Sequence, residues 1–281
     1  MNEITVSEKE LACIKQAELS ALIEFDRICK KYNFKYSLIY GTLLGAIRHK
    51  GFVPWDDDID VCMLRADYEK FREIVSDEIS EGFFYQSHKT DPEYYHLFDK
   101  IRVDETLYKE NYLAKHNIHH GVYIDIFPFD NIPDSTWKQK LQLLHYQFYR
   151  IGLMVRYLDV GYRKGLKKVL SSLLAMLYKP FSLDYLYNSA ENIAQKYNHK
   201  TCKNVFIFAD SIGCNSTCSI KSFDHISSIP FEKIEASAIG NYEEYLSNQY
   251  GNYMELPPPE ERFPKHHLVE LKIGEIHKKG E

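Results

Sequence analysis

The stretch GTLLGAIRHKGFVPWDDDIDV, residues 41–61, carries the densest chemistry in the chain. It opens on two small residues, Gly41 and Thr42, and ends in an acidic run that passes directly into an apolar alternation. Tyr36–Tyr40 before it reads as a buried strand, Leu43–His49 as a short helix, and Ile59–Met63 as a second strand after a turn at Gly51, Pro54 and Asp56–Asp58. On an extended chain Asp58 and Asp60 project from one face, while Ile59 and Val61 turn to the other. Carboxylates held that close raise each other's pKa unless a cation joins them. A hard divalent ion, Mg²⁺ or Mn²⁺, binds through oxygen and removes the conflict. A solvated acidic turn is the common alternative, but it does not account for acids running into an apolar strand, where unpaired burial is costly. An EF-hand loop fails on its own spacing. Counting from Asp56, Val61 stands where glycine is needed and Asp67 where glutamate is needed.

Working outward, a further acid sits inside an apolar strand, Val122–Phe127, with Ile124 and Ile126 on one face and Asp125 on the other. A core acid needs a partner, either a basic or amide group or a metal shared with Asp58 and Asp60. Residues 7–32 read as a helix opened by a Ser7/Glu10 capping box. Strands are expected near 83–87 and 97–103, a helix near 67–79, helices at 137–157, 165–177 and 183–197, then a strand at 204–210 and a helix at 242–250. Strand-rich and helix-rich parts in succession predict an α+β fold, a mixed sheet core with helices packed on it and an added helical region. We divide it into a catalytic core with its N-terminal helix (1–134), a helical insertion (135–200), and a C-terminal part completing the core and cleft (201–281).

The 281 residues are enough for a sizeable core. Hydrophobic content of 44% and charged content of 27% exclude wholesale disorder. A net charge of −5 argues against a general nucleic-acid binder, so any phosphate site must be local. No secretory signal and no membrane-length apolar run is read from the chain, and cytoplasmic placement is the expectation. The six cysteines form no CxxC pairs; Cys214, Cys218 and His225 are too loosely spaced to favour a zinc clip. Asn215 opens a glycosylation sequon of chance-level significance.

Small residues after a strand, an acid–apolar–acid pair on the next strand and one acid on a later strand resemble the nucleotidyltransferase superfamily. More narrowly, GTLLGAIRHKGFVPWDDDID, GVYIDIFPFD (121–130) and YGNYMELPPPEERFPKHH (250–267) resemble the LicD/fukutin-related phosphotransferases, over about residues 33–267. The resemblance implies that Asp58 and Asp60 are the metal-binding pair, Asp125 the third carboxylate and a catalytic candidate, and Gly41 and Thr42 the turn that admits phosphate. It further implies transfer of a phosphorylated alcohol, with CDP-choline the expected donor and a cell-surface glycan of teichoic acid or lipopolysaccharide type the acceptor. Attack at the other phosphorus, moving a nucleotide from an NTP to a small hydroxyl compound, is the alternative.

Arg48, Lys100 and Arg102 are further candidates to grip phosphate oxygens. Arg262 and His266 resemble family positions that close the site, and Asp56 and Asp57 read as supporting or turn-capping acids. Trp55 and Tyr40 could face a quaternary ammonium, although core packing explains them as well. Finally, Gly165–Lys179 combines leucines with terminal lysines, as either a core helix or one lying on anionic lipid at the inner face of the membrane would.

Overall fold

The acidic stretch crosses from one edge of a sheet to its centre in the computed structural model, which describes residues 2–158, 165–209 and 217–280. Helix α1 (Glu8–Tyr32) starts at the expected capping box, where Ser7 Oγ accepts from the Glu10 N–H and the Glu10 carboxylate accepts from the Ser7 N–H. It stops at Asn33, whose φ of 55° lets its N–H satisfy the carbonyls of Cys29 and Lys30. β1 (Tyr36–Leu38), α2 (Tyr40–His49), β2 (Asp60–Leu64) and α3 (Arg65–Glu78) follow, then β3 (Phe83–Gln86), β4 (Asp99–Val103), β5 (Leu107–Glu110) and β6 (Tyr123–Ile132).

The principal sheet runs β1-β2-β6-β4-β3, antiparallel except for the central β2–β6 pair. That parallel pair is buried on both faces, which explains why both strands read as apolar runs broken only by acids. α1 packs across β4 and β6, and α3 packs against α1 and across β2 and β6. Phe25, Phe71 and Tyr85 fill the space between them. The end of β6 also pairs with β7 (Asn204–Phe206), which pairs with β8 (Thr217–Ser219).

Three helices, α4 (Thr136–Tyr157), α5 (Gly165–Leu177) and α6 (Leu183–Ala194), gather around Tyr146, Leu153, Leu186 and Ala190, a cluster that also takes in Ile132 and Phe208 from the sheet side. A buried ionic joint ties them to the core. Arg65 grips both carboxylate oxygens of Asp130 at 2.7–2.8 Å and reaches Glu191 of α6 at 3.0 Å. The chain closes through the hairpin β9 (Ile226–Phe231)–β10 (Ile234–Ile239), α7 (Tyr242–Tyr250), β11 (Leu268–Ile273) and β12 (Ile276–Lys279).

The α+β class is as expected, with three corrections of detail. β1 ends at Leu38 rather than Tyr40, because Tyr40 takes φ 48° and turns the chain abruptly into α2, whose first turn holds Gly41 and Thr42. β2 begins at Asp60, so Asp58 lies in the segment entering the strand and not on it. β5, β9, β10, β11 and β12 were not expected from the sequence; they are short, and the partner of β5 is β11 at the far end of the chain. Cys214 and Asn215 lie outside the described residues.

Candidate active site

The turn from β1 into α2 is fastened to the head of β2. Thr42 is buried, and its Oγ1 accepts a 2.8 Å hydrogen bond from the Asp60 N–H, while the Ile39 N–H donates to the Asp60 carbonyl at 3.1 Å. Gly41 lies against Asp56 so closely that a Cβ there would fall 2.3 Å from Asp56 Oδ2. Across the parallel ladder Asp60 stands in register with Asp125, and the Asp125 N–H donates to the Ile59 carbonyl at 2.8 Å. Three carboxylates separated in sequence thus meet at the start of the two central strands.

These acids sit in a strained electrostatic environment. Burial, then Asp58 and Asp57, push the Asp56 carboxyl up to about 8. Burial takes Asp58 to about 6, with His266 and Lys100 opposing the rise and Asp57 and Asp125 adding to it. Asp60 is driven well above the usual carboxylate range by burial and by Asp58, Asp125 and Asp56. Asp125 is raised by burial, against the pull of Lys100, its register partner on β4 and its ion-pair partner. Burial lowers Lys100, whose ammonium also stands 3.2 Å from the centre of the Tyr123 ring.

Asp57 points elsewhere. Its carboxylate accepts from Tyr108 Oη at 2.9 Å, from the Lys265 N–H at 3.2 Å and from His266 Nδ1 at 3.1 Å. Burial opposes the charge on both partners, but their mutual contact holds Asp57 below and His266 well above their usual ranges. This link ties the C-terminal block to the acidic run. His266 also faces Glu110 at 4.0 Å, and beneath the acids Glu18 of α1 is buried and strongly raised, first by burial and then by Asp58 and Asp57.

A cleft of about 650 Å³ opens over the site, walled by the 40–60 stretch and by residues 250–265. Asp56, Asp58 and Asp60 all line it, with Gly41, Arg48 and Trp55; Tyr250, Tyr253, Pro257 and Lys265 complete the wall. Asp56, read from the sequence as a supporting or turn-capping acid, lines the cleft from its close seat against Gly41. Arg48 Nη1 donates to the carbonyls of Tyr253 and Glu255 at 3.0 Å each, so it braces the opposite wall. Arg262 donates to the Pro257 carbonyl at 2.8 Å and stands 5.5 Å from the Trp55 ring centre.

Arg102 is not at the cleft. It is fully buried, donates to Gln86 Oε1 and to the Gly121 carbonyl, and lies over the Tyr123 ring. Lys100 is committed to Asp125 in this state. Sequence reasoning missed Glu18, Tyr108, Glu110 and Lys265. Only Lys265 had a signal, its place beside His266 in the C-terminal block.

The donor set suits a hard cation. Asp56, Asp57 and Asp58 offer oxygen atoms that all lie within 4.8 Å of one another, and Asp60 and Asp125 adjoin them through strand register. An oxygen-only cluster in which Asp56, Asp58, Asp60 and Asp125 are driven towards protonation would be relieved by Mg²⁺ or Mn²⁺ rather than by a soft metal.

A profile of the LicD/FKTN/FKRP nucleotidyltransferase domain matches residues 33–151, which include the whole acidic stretch and β6. The chain is 30% identical over 289 aligned positions to the lipopolysaccharide cholinephosphotransferase LicD of Haemophilus influenzae, covering 97% of this chain and 100% of that protein. Shorter likenesses join it to two uncharacterised rickettsial proteins. One, from Rickettsia typhi, is 33% identical over 78 residues (26% of this chain, 25% of that one). The other, from Rickettsia prowazekii, is 44% identical over 45 residues (16% and 17%).

Proposed function

Because the chain belongs to the LicD/FKTN/FKRP nucleotidyltransferase family, and is on that ground a phosphotransferase, we propose that it moves phosphocholine from CDP-choline onto a sugar hydroxyl of a cell-surface glycan. Lipopolysaccharide and teichoic acid are the two acceptor chemistries that fit. The observation that carries this reading is the cleft, in which Asp56, Asp58 and Asp60 share a wall with aromatic side chains. A diphosphate bearing a quaternary ammonium has matching needs: oxygen-bound cations for its phosphates and ring faces for its methylated nitrogen, which Tyr40, Trp55, Tyr250 and Tyr253 can supply.

Asp58 and Asp60 would hold Mg²⁺ or Mn²⁺, with Asp56 and Asp125 adjoining. When bound, the metal neutralises diphosphate charge and polarises the phosphorus under attack. The protein's own groups do the rest. The first turn of α2, pinned by Thr42, presents backbone amides at Gly41 towards phosphate oxygen. Arg48 fixes the far wall that orients the donor. Asp125 is the group to take the acceptor proton, since burial raises its basicity, with the Lys100 ammonium opposing that rise. The acceptor oxygen forms the new bond to the choline-bearing phosphorus, the bond to the bridging oxygen breaks, and CMP leaves.

Incubation with Mg²⁺, CDP-choline and a glycan acceptor tests the reading. CMP release and choline on the glycan are expected, both lost in Asp58→Asn and Asp60→Asn. Pyrophosphate from an NTP with no CMP from CDP-choline would replace it with nucleotide transfer. We place the reaction on the cytoplasmic side, where CDP-activated donors are made; no helix among the described residues is long and apolar enough to cross a membrane.

A further inference from the structure

We propose that the outward faces of α4 and α5 form a docking surface for a bilayer carrying anionic headgroups. α5 turns Leu166, Val169, Leu170, Leu173, Met176 and Leu177 outward, every one more than half exposed and Leu166 at 83%. The helix is held by its opposite side, where Ser171 is buried and Leu174, Ala175 and Tyr178 pack into the helical cluster. At helical spacing the six exposed side chains share one arc of roughly 120°. That is the face an ordinary surface helix fills with charge, and a contiguous apolar face of this kind marks an interaction site.

The basic residues sit where lipid headgroups would meet them. Lys167 and Lys168 are exposed in the first turn of α5 and Lys179 just beyond its last, so cations bracket the apolar arc at both ends of the helix, where long stems can carry their ammonium groups to the headgroups. α4 extends the surface. Trp137, Leu144 and Phe148 recur on one side of it and are exposed, Trp137 at 70%. Phe148 meets the end of α5 directly, its ring 5.3 Å from that of Tyr178 and its carbonyl accepting from Tyr178 Oη at 2.9 Å.

Charge selects the occupant. Residues 136–158 and 165–183 contain seven Lys and Arg and no Asp or Glu, in a chain whose net charge is −5. A nucleic acid would answer the cations but not the leucines, and a neutral protein groove would answer the leucines but not the cations. An anionic bilayer answers both, and the helices would lie in its interface rather than span it. The inference stands on this surface and does not depend on which reaction the cleft catalyses.

Flotation of the full chain with vesicles of phosphatidylethanolamine and phosphatidylglycerol, against vesicles of phosphatidylcholine alone, tests it. Binding at 0.1 M salt is expected to favour the anionic vesicles by more than tenfold, since each lysine at the surface is worth about a factor of five. Leu170→Glu with Leu173→Glu should abolish it, and Lys167→Glu with Lys168→Glu should weaken it, each at unchanged melting temperature and unchanged far-ultraviolet circular dichroism. Brominated acyl chains should quench the emission of Trp137, and Trp137→Phe should remove that quenching. Absence of wild-type binding overturns the proposal. So does a dimer in sedimentation that Leu170→Glu with Leu173→Glu dissolves while vesicle binding persists, since the face would then belong to a second copy of the chain.

Discussion

Thr42 and Asp60, eighteen positions apart, are joined by a buried 2.8 Å hydrogen bond from the Asp60 N–H to Thr42 Oγ1. This single bond fixes the turn from β1 into α2 relative to the head of β2. Thr42→Val keeps the shape and leaves the Asp60 N–H buried without its acceptor, at a cost of about 1–3 kcal/mol. Urea denaturation should show that loss, and turnover should fall by roughly tenfold or more as the carboxylate shifts. Thr42→Ser should retain most of both; equal damage from the two substitutions would remove the hydrogen bond as the cause.

Lys100 and Asp125 form a buried pair, so Lys100→Met leaves a carboxylate without a counter-charge. The metal-free protein should lose about 3–5 kcal/mol. If Asp125 shares the cation, Mg²⁺ should restore much of this, and the rise in melting temperature on adding Mg²⁺ should exceed that of the wild type. The same loss in Mg²⁺ and in EDTA would separate Asp125 from the metal.

Gly41→Ala should separate fold from site. The new methyl group meets only the far end of the Asp56 side chain, a flexible carboxylate that can swing away. Stability should change by less than about 1 kcal/mol, while the displacement of Asp56 weakens Mg²⁺ binding, measurable by calorimetry. An unchanged Mg²⁺ affinity would take Asp56 out of the cation site.

Acid sensitivity should come partly from His120. Burial lowers its pKa to about 4, with the His116 carbonyl contact opposing and the nearby Arg102 and Lys109 adding to the drop. A depressed base is neutral when folded and protonated when unfolded between its two pKa values. Stability is therefore full above about 6.5 and falls as pH drops towards about 4. With partial exposure discounted, the share is on the order of 2 kcal/mol. His120→Gln should flatten the decline between pH 6.5 and 4 in urea midpoints; an identical slope would assign the decline to the carboxylates.

How much was legible follows from the range of each signal. The α+β class, α1 with its capping box, α5 and α7 were readable, because periodicity and caps are written within a few residues. Asp60 and Asp125 stood out because they interrupt apolar runs, and the structure places both on buried strands in register with each other. The sequence could not say that Asp56 shares the cleft wall, because that depends on its seat against Gly41.

Nor could it assign the basic residues. Lys100 and Arg102 alternate alike along β4 and neither lines the cleft, yet register sets one opposite its ion-pair partner Asp125 and the other opposite Tyr123. His266 reaches Asp57 only because β11 returns to pair with β5. The sequence by itself determined which groups were available and which local elements carry them, since those follow from patterns a few residues long. Tertiary structure alone decided which charges meet, because pairing in a sheet is set between segments that chain order leaves far apart.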